Sequence, residues 1–149
     1  MAVFNKFQIF VEDLAKGVHN FNPPANNGNV IKVFLSNTAN PPSTTNALKS
    51  QIAEIPQGNG YLTGGNTAVI TGSVQTSGTY KLTLADAIFT ANASGSIGPF
   101  QYAILYNSNT AVLTNPLIGW YDYGSAITLL TGESLTVDFD PTNGALTLV

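Results

Sequence analysis

Two short stretches of this chain, Val30–Leu35 and Phe100–Tyr106, carry apolar side chains at odd and even positions alike. Successive side chains of a strand point to opposite faces, so each stretch needs cover on both sides. Both are β-branched or aromatic in character and too short for a buried helix. They read as central strands of a sheet with a layer on each face. Any fold for the remainder has to supply those layers.

Most of the remaining chain alternates. Asn66 to Val74 is a Thr/Val/Ile run that ends at the turn pair Ser77-Gly78. Tyr80, Leu82 and Leu84 then alternate with Lys81 and Thr83, a strand with one wet face. Ile88-Phe89 leads into the Gly/Ser-rich Ala93–Gly98 loop, and Leu117–Tyr123 and Ala126–Leu130 read as two further strands. After the turn Thr131-Gly132-Glu133, Leu135, Val137 and Phe139 alternate with polar residues, as do Leu146 and Leu148. Between them, Asp140-Pro141-Thr142-Asn143-Gly144 has the composition of a turn. A hairpin pairing Phe139 with Leu146 and Val137 with Leu148 puts every large apolar residue on one face.

Helical spacing occurs at the start. Val3, Phe7, Phe10, Val11, Leu14 and Val18 recur at intervals of three and four, predicting a helix over about 4–19. Asn5 is a candidate cap, and Gly17 or Asn20 a candidate end. A short second helix is predicted over Ala47–Ile52, capped by Thr45 or Asn46 and closed before Pro56. Asn22–Asn29 and the Pro-containing Asn37–Thr45 read as loops. The expectation is one domain over 1–149, with its β part from about 30. It is mainly β, a sandwich or barrel of about seven or eight strands with an N-terminal α-helix and one short second helix.

Composition restricts function more than fold. The chain has 5 Lys, 8 Asp and Glu, one His, no Cys and a net charge of -3, so that 9% of it is charged. An ordinary soluble domain carries about 25%. There is no Arg, and without clustered cations no nucleic-acid partner is expected. No run is long enough for a transmembrane helix, and no basic segment precedes an apolar core as in a signal peptide. Zero Cys excludes disulfides and thiolate metal sites.

Convergent titratable groups are scarce. His19 has no G-x-S-x-G nucleophile elbow to serve, and at the end of the first helix it is expected to meet the helix's negative pole. Asp138 and Asp140 share a strand face and Asp122 precedes them, but the D-x-D lacks a calcium-loop pattern, and Asp140 fits the start of a turn. The Gly-rich Gly58–Tyr61 and Gly64–Asn66 lack a strand–loop–helix context with Lys. Trp120, Tyr121 and Tyr123 are candidates for stacking on a sugar, although their strand favours core packing. No catalytic residue, cofactor or metal site is expected, and the chain does not read as an enzyme.

A resemblance rests on longer segments. N-K-F-x-x-F-V-E-D-L-A-x-G-V-H-N (Asn5–Asn20), V-F-L-S-N-T-A (Val33–Ala39) and A-E-I-P-x-G-N-G-Y (Ala53–Tyr61) occur in this order. G-T-Y-K-L (Gly78–Leu82), G-P-F-x-Y-A-I-L-Y-N (Gly98–Asn107), L-I-G-W-Y-D-Y-G-S (Leu117–Ser125) and G-E-S-L-T-V-D-F-D-P-T-N-G-A-L-T-L (Gly132–Leu148) follow. Together they resemble a family of small virion structural proteins of tailed bacteriophages and prophages. The resemblance implies a capsid decoration (cement) protein on the outside of the expanded head, made in the host cytoplasm. It further implies a homo-oligomer, a trimer in particular, with the major capsid protein as partner. A tail or fibre-base protein and a carbohydrate-binding β module are the alternatives. The resemblance brings no site motif. Candidate contact residues are Phe4 and Phe7 on the first helix, Phe21, Pro23 and Pro24 around the Asn22–Asn29 loop, and Pro41 and Pro42 within Asn37–Thr45.

Overall fold

A computed structural model describes residues 2–149. In chain order its elements are β1 (Val3–Lys6), α1 (Ile9–Ala15), β2 (Ile31–Ser36), β3 (Asn66–Thr67), β4 (Ile70–Thr76) and β5 (Thr79–Leu84), followed by β6 (Ala87–Thr90), β7 (Ile97–Asn107), β8 (Leu117–Leu129), β9 (Ser134–Val137) and β10 (Leu146–Leu148). The chain is mainly β, as its periodicity predicts. The two doubly apolar stretches become β2 and β7, which pair antiparallel from Ile31 opposite Asn107 to Ser36 opposite Tyr102. They lie inside a five-stranded sheet of order β1-β8-β7-β2-β3.

Both faces of that sheet are covered. Val33 and Leu35 from β2 and Ala103 and Leu105 from β7 enter one apolar core. Leu82, Leu84, Phe89, Val137 and Phe139 complete it from a second layer, which consists of the sheets β10-β5-β4 and β6-β9. On the opposite face Phe34, Tyr102, Ile104, Tyr106 and Trp120 form a second core, closed by Phe7 and Ile52. Burying one such side chain fully is worth about 1.5–3 kcal/mol. The charge-poor interior strands are therefore the main source of cohesion.

Local chemistry fixes several joints. Ser77 and Gly78 both have positive φ, 51° and 87°, and link β4 to β5 with Thr76 opposite Thr79. That is the geometry whose twist matches a two-residue hairpin. Gly65, at φ 67°, passes so close to β2 that a Cβ would fall 1.8 Å from the Val33 carbonyl oxygen.

Four sequence expectations need correction. The first helix is shorter than 4–19: residues Val3–Lys6 form an edge strand on β8, and only Ile9–Ala15 is helical. A spacing of three and four fits Phe7, Phe10 and Leu14, but β8 offers Val3–Lys6 a ladder of hydrogen bonds that sequence spacing does not register. The second helix is a single 3-10 turn at Lys49–Gln51, where Gln51 Oε1 accepts from the Ala47 and Leu48 amides at 2.6 and 2.9 Å. Leu117–Tyr123 and Ala126–Leu130 belong to one long strand, with Gly124 at φ 77° absorbing the irregularity between them.

The C-terminal hairpin does not form. β9 pairs with β6, Val137 opposite Ala87, while β10 pairs with β5, Leu146 opposite Leu82. The turn behaves locally as expected: the Asp140 carboxylate accepts from the Thr142 and Asn143 amides at 2.7 and 2.9 Å, and Gly144 is left-handed. It closes with the Gly144 amide donating to the Asp140 carbonyl at 2.9 Å. Phe139 N–H donates to Asp86 Oδ1 and Ala145 N–H to the Leu82 carbonyl. The turn thus carries the chain between sheets instead of folding it back. Alternation specifies which face is buried, not which strand lies alongside.

Candidate functional site, an uncharged loop cluster

The end of the five-stranded sheet where β7 leaves and β8 begins gathers three loops. The 17–30 loop is tied there by asparagines. Asn20 donates its amide N–H to Asn29 Oδ1 at 2.7 Å and its side-chain Nδ2 to the Asn27 carbonyl at 3.0 Å. Asn107 Nδ2 donates to Asn29 Oδ1 at 2.7 Å, and the Val30 amide donates to Asn109 Oδ1 at 2.6 Å. Gly28 is buried so tightly that a Cβ would fall 1.5 Å from the Asn22 carbonyl oxygen. Asparagine suits this role because one short side chain both donates and accepts without a charge.

The third loop arrives from the other direction. The 37–48 segment leaves β2 at the far end and returns over the outer core, where the Ser36 hydroxyl donates to the Ala53 carbonyl. Its later residues reach the cluster: Lys49 N–H donates to the Asn115 carbonyl, Leu117 N–H to the Ala47 carbonyl and Gln8 N–H to the Thr44 carbonyl, each at 2.9 Å. Between Lys16 and Lys32, between Lys32 and Lys49, and between Asp86 and Asp122, the chain has no Asp, Glu, Lys or Arg. The gathered loops thus make a neutral surface of Asn, Pro, Thr and Gly. Val112, 66% exposed, and Leu113 stand on it beside a concavity of about 350 Å³.

The candidate contact residues separate. Pro23 is half-buried within the cluster, its carbonyl accepting from the Asn26 amide, while the side chain of Pro24 lies outside the described residues. Pro41 is exposed and Pro42 half-buried on the returning segment. Phe4 is part-exposed on edge strand β1, its ring 5.1 Å from Tyr121. Beside it is an apolar cavity of about 40 Å³ lined by Phe10, Phe21, Leu82, Ile118 and Leu146. Phe7 and Phe21 are core residues, Phe7 fully buried 4.5 Å from Trp120, so neither ring is presented outward.

Most of the residues weighed for chemistry are engaged in structure; Asp138 differs, exposed just past the end of β9. His19 corrects the helix-pole expectation. α1 ends at Ala15, and its last carbonyls, Glu12, Asp13 and Leu14, accept from Lys16, Val18 and Gly17. The imidazole is instead buried, stacked 5.5 Å from Phe21, with Nδ1 3.2 Å from Asn107 Nδ2. Asp122 accepts from Gln101 Nε2 and the Gly124 amide, and Asp140 from its own turn. Trp120 is buried, which leaves no face for a sugar, while Tyr121 and Tyr123 are half-buried. Burial, and for Tyr121 also the Asp138 charge, raises both phenols above the usual range. Among the described residues no three His, Cys, Asp or Glu converge as metal ligands. No helix there is long and apolar enough to cross a membrane.

The densest polar cluster carries no sequence motif. Glu54 accepts from Lys49 Nζ, Tyr61 Oη and the Gly64 amide, each at 2.6 Å. Lys49 Nζ also stands 4.8 Å above the Phe34 ring, and Tyr106 Oη donates to the Gly64 carbonyl at 2.8 Å. Burial first, then the Glu54 charge, pushes the Tyr106 phenol up to about 12. Every strong donor here has a partner. The cluster clamps the 46–65 segment onto the outer core. Matched against known protein families, curated proteins and solved structures, the chain finds no counterpart.

Proposed function

We propose that this chain is a structural protein of a tailed-bacteriophage virion, and specifically a capsid decoration protein that bridges capsomers outside the expanded head. The observation that carries the reading is the uncharged loop cluster: a hydrogen-bonded, neutral surface tipped by Val112 and Leu113. Such a surface has no long charged side chains to desolvate on contact, and several of its amides are already hydrogen-bonded within it. Adhesion built this way is weakly screened by salt. The body behind it, two sheet layers around an apolar core, suits a brace that resists the outward push of packaged DNA through contact area. A cyclic homo-oligomer, a trimer in this reading, would cover more of the same surface, with the major capsid protein beneath it.

Electron microscopy of the parent virion tests this directly. Density for this protein on the outer shell, lost when its gene is deleted, is the expected result. Density confined to the tail or its fibre base would replace the reading with that of a tail protein. A second arm uses Val112→Asp with Leu113→Asp. The purified variant should fold, as judged by circular dichroism, yet fail to bind expanded heads. Unchanged binding would remove the loop cluster from the contact.

A further inference from the structure

The loop cluster holds one histidine, and a backbone amide fixes its protonation. The Asn20 N–H can only donate, so the Asn29 atom 2.7 Å away is the acceptor Oδ1. The Asn107 side-chain atom 2.7 Å from that oxygen must therefore be Nδ2. Its second hydrogen faces His19 Nδ1 at 3.2 Å, and Nδ1 must accept. The ring's proton then lies on Nε2, which is buried without a partner. Adding a second proton would set N–H against N–H. Asn107 cannot relieve the clash by turning its amide, because its oxygen would then face Asn29 Oδ1.

The ring shares its cleft with no carboxylate. Phe10 and Phe21 lie 5.2 and 5.5 Å from it. Leu14, Asn22, Ser73, Tyr80 and Leu148 share its cleft, and none of these is acidic. Glu12 and Asp13 are on α1 and Lys16 follows its end, while burial lowers the ring's proton affinity. We infer that His19 is an acid-sensitive latch: protonating its ring breaks the Asn29–Asn107–His19 chain and frees the 17–30 and 107–113 loops while the sheets stay paired.

The direction is fixed by linkage. Burial pushes His19 down to about 4 from the 6.5 of an unfolded histidine. Its contribution is fully present above 6.5 and is lost as pH falls from there through 4. Asp13 acts in the opposite sense, since its carboxyl is raised by burial and is better tolerated once protonated. Asp140, held below 3.8 by the Asn143 and Thr142 hydrogen bonds, responds only at lower pH.

Because His19 is the only histidine, its imidazole nitrogens can be followed by NMR without assignment. The expected result is an Nε2–H tautomer at pH 7. On going from pH 8 to 4, amide protection at Asn20, Asn29 and Ser108 should fall on the order of 100-fold, while β2 and β7 stay protected. In His19→Gln, whose side chain can still accept from Asn107, protection should be flat over that range. An Nδ1–H tautomer, a titration at 6.5 with the loops still protected, or an unchanged pH profile in His19→Gln would each overturn the inference. The tautomer and titration arms use the unmodified protein, so they decide the matter even if the variant does not fold.

Discussion

Glu54 and Asp13 show two fates of a carboxylate in a chain with so few charges. Glu54 accepts three strong hydrogen bonds and helps to hold the 46–65 segment to the outer core. Tyr61, buried beneath it, also accepts from the Leu35 amide through its hydroxyl oxygen. Tyr61→Phe orphans that amide and takes a donor from Glu54, so denaturant unfolding should show a loss of about 1–3 kcal/mol. Asp13 has no such company: its Oδ2 is buried without a partner, and burial, assisted by Glu12, raises its carboxyl above the usual range. A raised carboxyl costs stability wherever it must ionise, so the penalty is absent below 3.8 and complete above the folded value. Asp13→Asn should therefore raise the unfolding midpoint at pH 7 and change it little at pH 3. An equal gain at both pH values would point to packing instead of charge.

Among elements, the edge strand β1 depends on a glycine of its neighbour. A Cβ on Gly119 would fall 2.4 Å from Phe4 Cζ and 2.7 Å from the Asn5 carbonyl oxygen. Gly119→Ala should cost about 1–3 kcal/mol and speed amide exchange in Val3–Lys6 before it does so in β2 or β7. Uniform loss across the sheet would show instead that β1 is integral to the core. This element also marks where sequence reading stops. Val33 and Ile104 announce central strands because burial on two faces leaves a trace at every position. The partner of β1 leaves none in Val3–Lys6 themselves, since the decisive bonds come from β8, far along the chain. Val137 and Leu148 fail in the same way: their alternation names a face and is silent about the neighbour. The Asn29–Asn107–His19 chain was illegible because it joins the 17–30 loop to a strand end far along the chain, each ordinary by itself.

For the whole molecule, the shortage of charge should govern its response to salt. Two ion pairs occur among the described residues, and one of them, Lys16 with Glu12 on α1, is exposed. Exposed pairs contribute about 0–1 kcal/mol and are screened, while Lys49–Glu54 is largely covered. Urea unfolding in 0.05 and 1 M NaCl should give stabilities within about 1 kcal/mol of each other. A larger fall would mean that scattered surface charges, such as Lys81 and Asp86, do more than their number implies. The folding architecture was readable at this scale, and the loop cluster only in part. Its composition is visible in the sequence, whereas its convergence depends on bonds between distant segments.

The pairing of β1 with β8 also bears on how the protein is made. Val3–Lys6 are synthesised well before the strand they join, which is made only after β7. Until then Phe4 and Phe7 have no Tyr121 or Trp120 to rest on. Until β8 is made, this aromatic-bearing segment has no strand to pair with. Its pairing with β8 completes the larger sheet.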